Sequence, residues 1–219
     1  MNSPILQLLV LAGIAIFLIL RLRSVLGTRE GYEKPQVTQP GPTTERRGSF
    51  EVIDGGPDPD IVDHVPADSP AAGALARMKA LEPSFSVGEF LGGARGAYEM
   101  ILMGFERGEL AEIKPFLSDD VYESFAFVVE DREAKGLSVE ADFLGVKELQ
   151  LVDAELDDAT QEAELTVRFV GQLTFAVRDR AGEVVEGDPN SAKTQRDIWT
   201  FARRMGTDDP NWQLVATGE

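Results

Sequence analysis

The chain has 219 residues and a formal net charge of -17, because 38 acidic side chains stand against 21 basic ones. Phosphate backbones would repel so acidic a body, which argues against nucleic-acid binding. Cysteine is absent and histidine occurs once, so disulfides, thiol chemistry and a metal site of Cys or His ligands are excluded by count.

The first 27 residues predict a membrane anchor. Residues 5–20 are uncharged, and continuing the helix to Leu26 gives about 33 Å at about 1.5 Å per residue, enough to cross a bilayer core of about 30 Å. Arg21, Arg23 and Arg29 follow the apolar run, whereas a secretory signal carries its positive charge in front. Since positive residues stay inside, we expect a single-pass protein whose N-terminus lies outside and whose carboxy-terminal part is cytoplasmic. The three arginines would lie at the interface, where anionic lipid attracts them.

Residues 28–80 predict a flexible, acidic linker. Proline and glycine are scattered through it, and residues 48–76 hold six acidic side chains and no basic one, which favours an extended chain. Within it, SFEVIDGG (Ser49 to Gly56) has alternating apolar residues that would suit pairing with a sheet edge. Past Ala71 the sequence becomes typical of a globular chain, beginning with a short predicted helix, AAGALARMKAL.

The domain proper is predicted at residues 81–219 and begins with a long helix from about Val87 to Arg107. Apolar residues recur on it every three or four positions: Phe90, Ala94, Ala97, Ile101 and Phe105, with Tyr98 and Leu102 beside them. Three glycines, Gly92, Gly93 and Gly96, weaken this helix unless something packs closely against them.

A second long helix is predicted between two local signals. Ser118 suits an N-cap and Gly136 suits a helix end. The predicted buried side carries Tyr122, Phe125, Ala126 and Val129.

The remaining sequence predicts strands. Alternation of apolar and polar residues marks Leu165, Val167 and Phe169, then Leu173, Phe175 and Val177. Gly171 lies between the two sets and would allow a bend or bulge. Helices followed by strands predict an α+β domain in which helices cover one face of a curved antiparallel sheet.

Two segments imitate ligand-binding loops. GDPNSAKT (Gly187 to Thr194) resembles a phosphate loop, but Ala192 replaces the second glycine and Asp188 places an anion in the cradle, so we interpret it as a loop between strands. DAELDDATQEAE (Asp153 to Glu164) has the acidic spacing of a calcium loop, but Asp158 stands where the sharp turn needs glycine.

Enzyme chemistry has few candidates. The single histidine, His64, falls in the predicted linker, so no Ser-His-Asp triad is expected. Four carboxylates could serve as a general base in a pocket: Glu99, Asp131, Glu133 and Asp197. Exposed charge is the commoner explanation for such residues. We therefore predict no catalytic residue, no metal and no cofactor.

Aromatic residues are the more informative set. Most should lie in the core, and the surplus would line an opening that accepts an apolar ligand segment. The predicted partner or ligand pocket consists of Phe90, Tyr98, Phe105, Tyr122, Phe125, Trp199 and Trp212. DDPNW is interpreted as a turn, residues 208–211, that places Trp212 in the last strand.

An ordered set of segments carries a family resemblance: FLGGARGAYEMILMGFERGEL, FLSDDVYESF, REAKG, TVRF, GEVVEGDPN, DIWTFAR and DDPNWQLVAT. The set resembles the carboxy-terminal domain of the mitochondrial inner-membrane presequence import-motor adaptor family, and most closely the alphaproteobacterial membrane-anchored TimA-type proteins. The resemblance implies a cone-shaped domain of cystatin-like or nuclear-transport-factor-like fold, membrane association, and recruitment of an Hsp70-type chaperone at a translocase. In the mitochondrial adaptor a chaperone-contacting region precedes this domain, whereas here an anchor and acidic linker take that place.

The sequence, together with the resemblance, thus predicts a cytoplasm-facing adaptor anchored in the bacterial inner membrane, which binds a protein partner or a lipid and is not an enzyme. The protein partner would be a chaperone or a translocase component. Two alternatives stay open: a membrane-tethered pocket protein that binds or converts a small hydrophobic molecule, and a structural subunit of a membrane complex.

Overall fold

The computed structural model describes residues 57–218. Three features predicted above lie outside these residues: the anchor at residues 1–27, the arginines Arg21, Arg23 and Arg29, and the SFEVIDGG segment at residues 49–56. Within the described residues, no helix is both long and apolar enough to cross a membrane.

Helices come first along the described chain and strands second. The helices are α1 (Pro59–Val62), α2 (Pro70–Leu81), α3 (Val87–Arg107), α4 (Leu110–Ile113), a 3-10 turn (Lys114–Phe116) and α5 (Asp119–Lys135). The strands are β1 (Ser138–Leu156), β2 (Glu162–Arg178), β3 (Val184–Arg204) and β4 (Gln213–Gly218). They form one antiparallel sheet in the order β1-β2-β3-β4. The predicted α+β class is confirmed.

Local capping signals mark the start of α3 and both ends of α5. The Ser86 hydroxyl accepts a hydrogen bond from the Glu89 amide at the start of α3, and the Ser118 hydroxyl accepts one from the Val121 amide at the start of α5. Gly136 follows α5 in the left-handed conformation, with φ 69°. A residue with a side chain adopts that conformation only with strain, so glycine ends the helix there.

The predicted linker boundary at residue 80 is wrong, because residues 57–80 fold with the domain. Pro59 and Pro70 occupy the first turns of α1 and α2, where a missing amide hydrogen costs nothing. Ile61, Leu75 and Met78 are buried in the common hydrophobic core. These two prolines, which we interpreted as signs of a linker, therefore begin helices.

Asp60 joins the first three helices. Its carboxylate accepts hydrogen bonds from the amides of Val87 (2.8 Å) and Gly88 (3.1 Å) at the start of α3, and from the Ser86 hydroxyl (3.0 Å). The Lys79 ammonium of α2 lies 2.7 Å away. Burial by itself would raise the pKa of Asp60, but the hydrogen bonds from Lys79 and the start of α3 outweigh it and hold the pKa well below its usual value.

The inner face of β2 follows the predicted alternation. Leu165, Val167, Phe169 and Leu173 are fully buried. Gly171 lies on the same face; it pairs with Val146 on β1 and with Gln195 on β3, and its pairing with β3 is regular. The bulges that bend the sheet at this level lie on β1 instead, between Phe143 and Gly145 and between Val146 and Glu148.

Gly171 leaves room for Tyr98, the central residue of α3. A β-carbon at Gly171 would lie 2.8 Å from the Tyr98 hydroxyl oxygen and 3.0 Å from a ring carbon, closer than van der Waals contact allows. Tyr98 is fully buried, and its ring stacks on Phe169 at a centroid distance of 4.4 Å and an interplanar angle of 4°. Its hydroxyl donates a hydrogen bond to Asp197 on β3 at 2.5 Å. The glycine thus serves close packing rather than a bend in β2.

The three glycines of α3 behave differently from Gly171. Nothing lies within 4 Å of a β-carbon built at Gly92, Gly93 or Gly96, so no close packing requires them. The glycine of α3 that does carry a close contact is Gly104, whose β-carbon position is filled by the Ile113 side chain of α4.

The two segments whose sequences resemble ligand-binding loops both lie in β-hairpins. GDPNSAKT lies within β3 rather than in a loop: Thr174 pairs with Ala192 and Phe175 with Asp188, so residues 189–191 form a wide bulge. In the other segment, Asp157 accepts hydrogen bonds from the amides of Ala159 and Thr160, which closes the β1–β2 turn.

The contacts of Asp60 predict a pH-dependent stability. A carboxylate whose folded pKa lies below its unfolded value of 3.8 contributes stability that is present above that value and is lost as the pH falls below it. We expect Asp60→Asn to lower the free energy of unfolding at pH 7 by about 1–3 kcal/mol and to flatten the fall in stability between about pH 5 and 2. The control is Asp63→Asn at an exposed position of the same segment. Urea unfolding over a pH series measures both; equal curves for the two variants would contradict the role of Asp60.

The glycines allow a paired test of packing. Gly171→Ala should destabilise the fold by about 1–3 kcal/mol, because the added methyl group meets Tyr98. Gly92→Ala, in open space on α3, should stabilise it by about 0.5–1 kcal/mol through helix propensity. Thermal unfolding followed by circular dichroism measures the two shifts, and shifts of the same sign would show that Tyr98 does not require the glycine.

Candidate functional site

The structure divides the seven predicted pocket aromatics among different places. Phe90 and Trp212 line one cavity, which we call the Trp212 cavity. Phe105, Phe125 and Trp199 line a second, which we call the Asp197 cavity. The other two residues line neither: Tyr98 is fully buried in the core, and Tyr122 is half-buried under the Lys114 ammonium, which lies 4.7 Å from its ring centroid. The expectation of one shared opening is therefore wrong.

The Trp212 cavity has a volume of about 370 Å³ and mostly apolar walls. Its apolar lining comprises Phe85, Phe90, Ala94, Ala97, Phe116, Phe201 and Trp212. The small residues Gly93 and Ala94 are adjacent on α3 and Ala97 follows about one turn later, and together they leave the space that larger side chains would fill. The cavity is thus a consequence of where α3 carries small residues.

Aromatic contacts hold the walls of the Trp212 cavity in place. The Phe90 ring meets Trp212 at a centroid distance of 4.8 Å and an angle of 60°, and meets Phe201 edge-on at 6.0 Å. Phe85 lies 6.1 Å from Trp212. Trp212 precedes β4 by one residue rather than lying within it, and the Asp209 carboxylate closes the preceding turn by accepting a hydrogen bond from the Asn211 amide.

One cation, Arg203 of β3, lines the apolar cavity and is only 8% exposed. Its guanidinium donates to the Glu82 carboxylate at 2.9 Å and lies 5.1 Å from the centroid of the Trp212 ring. Its Nε finds no hydrogen-bond acceptor among the described residues. Glu82 follows α2 and Glu89 lies in the first turn of α3, and both also line the cavity. The sequence reasoning did not single out Arg203, because nothing local marks it.

The Asp197 cavity is smaller, at about 140 Å³, and its lining includes the carboxylates of Glu106 and Asp197. Asp197 is 8% exposed; it accepts hydrogen bonds from the Tyr98 hydroxyl and from Gln195 (3.1 Å). Burial, next the hydrogen bond to Asp197, and then the negative charge of Asp197 raise the pKa of Tyr98, so the tyrosine stays a neutral donor. Burial also raises the pKa of Glu106 in the same cavity, against the opposing ion pair with Arg132 at 3.2 Å. Asp197 is thus buried, contrary to the expectation of exposed charge.

The other residues considered for chemistry lie apart. Glu99, Asp131 and Glu133 are exposed, and Asp131 accepts a hydrogen bond from Lys135 one turn later at 2.6 Å. His64 lies in the turn after α1 and is half-buried. The structure brings none of these four to the Trp212 cavity or the Asp197 cavity.

Comparison with known proteins finds one family and several relatives. The Tim44-like domain matches residues 71–219. The human mitochondrial import inner membrane translocase subunit TIM44 is 26% identical over 144 residues, and the rat protein of the same name is 24% identical over the same length. Each match covers 64% of this chain and 31% of the relative, so the similarity spans about a third of the relatives' length.

Among solved structures, the crystal structure of the intermembrane space region of chloroplast protein ARC6 matches with a TM-score of 0.39 and 9% identity. That match covers 56% of this chain and 88% of the other.

The family match includes α2 to β4 and therefore every wall of the two cavities. Since it covers well over half of the sequence, the protein belongs to the Tim44-like domain family.

Proposed function

We propose that the protein is a membrane-associated adaptor whose Tim44-like domain binds a protein partner. The observation that carries this proposal is the family match over residues 71–219. The curated relatives are named as subunits of an inner-membrane translocase, and a translocase subunit works by binding other proteins. The partner in this proposal is a translocase component or an Hsp70-type chaperone, and the proposal includes a kinship with the alphaproteobacterial TimA-type proteins.

Membrane association rests in this proposal on the predicted anchor. The arginines Arg21, Arg23 and Arg29 after the apolar run favour an orientation with the Tim44-like domain in the cytoplasm. An anchor of this kind keeps the domain close to the membrane, which raises its effective concentration near a membrane-bound partner. Anionic lipid contributes through the three arginines rather than through the domain.

The Trp212 cavity is the proposed partner site. Interfaces depend on a few aromatic or apolar anchors that enter pockets, and a cavity of about 370 Å³ suits one or two such side chains. Phe90 and Trp212 are held by neighbouring rings, so the walls need no rearrangement before binding. A preformed site of this kind binds without a large ordering cost.

A binding role fits the described carboxylates better than catalysis. Asp197 is engaged by Tyr98 and Gln195, and Glu106 is engaged by Arg132. A general base needs access to the proton that it removes, and these groups are already hydrogen-bonded within a small cavity. We therefore assign no catalytic residue.

Crosslinking in intact cells tests the proposal. A photoreactive phenylalanine analogue at Asn211, on the rim of the Trp212 cavity, should crosslink to a chaperone or translocase protein that mass spectrometry identifies. The matched control carries the analogue at Phe127, which is 74% exposed on α5 and outside the cavity lining. Partner yield from residue 211 should exceed that from residue 127 by about ten-fold. Equal yields, or crosslinks to lipid alone, would contradict a protein-binding role for this cavity.

A further inference from the structure

We propose that the Asp197 cavity binds a primary alkylammonium group, whose nitrogen donates hydrogen bonds to Glu106 and Asp197 while its alkyl part lies between aromatic rings. The inference goes beyond the proposed function, because it concerns the second cavity and does not depend on a partner at the Trp212 cavity. Free amines and the lysine side chain carry the same group, so the ligand is defined by this shared chemistry.

One accessible carboxylate oxygen in this cavity lacks a hydrogen-bond donor. The Glu106 side chain lines the cavity and is only 9% exposed. Its Oε2 accepts a hydrogen bond from Arg132 at 3.2 Å, whereas its Oε1 accepts none from the described residues. Oε1 is not fully enclosed, because the one fully enclosed side-chain atom without a partner in that part of the chain is the Nε of Arg203. A ligand in the cavity therefore reaches Oε1 and supplies the missing donor.

Asp197 supplies a second carboxylate, and both of its hydrogen-bond donors are uncharged. It is buried; the Tyr98 hydroxyl bonds one oxygen and the Gln195 amide bonds the other. Within residues 57–218 it forms no ion pair. Each carboxylate oxygen has about two acceptor positions, so each Asp197 oxygen has room for a further donor. A buried anion without a counter-ion favours a ligand that brings positive charge.

The remaining donors of the lining are uncharged, whereas two of its acceptors carry negative charge. The donors are the Trp199 indole, the Thr217 hydroxyl and the Gln195 amide, which already bonds Asp197. An anionic ligand would meet two carboxylates with no cation in the lining to balance it. A primary ammonium carries three N–H donors and no acceptor, so it complements this lining.

Two cations lie near the cavity without lining it. Arg132 of α5 pairs with Glu106 through Oε2 and leaves Oε1 unused. Lys193 of β3 is exposed, and its positive charge opposes the burial that raises the pKa of Glu106. Solvent and salt screen an exposed charge of this kind. Asp197 therefore remains the charge that a bound ammonium would balance.

Size and aromatic walls restrict the ligand further. A volume of about 140 Å³ holds about five non-hydrogen atoms at about 30 Å³ per water-sized group, which is the size of butylammonium. The rings of Phe105, Phe125 and Trp199 line the space, and the first two lie 4.4 Å apart between centroids. Aromatic rings contact methylene groups favourably and attract a cation to their faces. A quaternary ammonium would gain only that attraction, because it has no N–H to donate.

Titration of the full-length protein in a non-ionic detergent tests the site, with the nuclear magnetic resonance signal of the Trp199 indole N–H as readout. The chain has two tryptophans, so the variant Trp212→Phe assigns this signal. The probes are butylammonium chloride, tetramethylammonium chloride and sodium butyrate. Butylammonium should bind about ten-fold more tightly than tetramethylammonium, because only it donates hydrogen bonds to the carboxylates, and butyrate should cause no shift. Equal affinity of butylammonium and either other probe, or no shift with any probe, would overturn the inference.

Two variants locate the binding. Glu106→Gln should bring the affinity for butylammonium to within about two-fold of that for tetramethylammonium, with the melting temperature measured alongside because Glu106 pairs with Arg132. The matched control is Glu99→Gln, at an exposed position of the same helix and outside the lining, which should bind as the unchanged protein does.

Thr217→Phe is the second variant. Thr217 is exposed and lines the cavity, so a larger side chain should close the entrance and weaken butylammonium by about ten-fold without unfolding the domain. Unchanged binding in Thr217→Phe would overturn the assignment to this cavity even if Glu106→Gln does not fold.

A lysine compound separates the two sources of the ammonium group. Acetyl-lysine methylamide should bind at least as tightly as butylammonium if the ligand is a lysine side chain of another protein, and more weakly if the ligand is a free amine. Both results require the ammonium site. Crosslinking from residue 211 reports on the Trp212 cavity alone, so the proposed function and this inference fail independently.

Discussion

The stacking of the Tyr98 ring on the Phe169 ring, next to Gly171, determines how α3 is positioned against the sheet, and the rest of the domain depends on that position. It places the centre of α3 against β2, and the hydroxyl bond to Asp197 adds a directional contact with β3. Because a helix is rigid over 21 residues, fixing its middle also fixes both ends. Phe90 is thereby held in the Trp212 cavity, and Phe105 in the Asp197 cavity.

The two cavities differ in chemistry because different ends of α3 meet different parts of the sheet. Near Phe90, small residues of the helix face rings and one buried arginine, which leaves apolar space suited to a side chain. Near Phe105, two carboxylates are enclosed with aromatic walls in a smaller space, and burial raises the pKa of Glu106. A partner-binding role is therefore easier to reconcile with the first cavity than with the second.

Charged groups at the amino-terminal end of α3 connect the fold to the proposed site. Asp60 holds the start of α3 through three hydrogen bonds, and Glu82, in the loop just before it, pairs with Arg203. Asp60 lies within the segment that we predicted as a flexible, acidic linker, and Glu82 follows that segment by two residues. Because these carboxylates pair with cations and backbone amides, they do not repel one another but position the rim of the Trp212 cavity.

The sequence by itself determined the elements whose signals are local. The start of α3 and both ends of α5 follow from Ser86, Ser118 and Gly136, and the buried alternation of β2 follows from its spacing, because caps and periodicity act within a few residues. Only the tertiary structure decided which aromatics share a cavity, why Gly171 is a glycine, and that Arg203 meets Glu82. These contacts join residues about 70 to 120 positions apart, so no periodicity or local propensity encodes them, and they exist only once helices and sheet are packed.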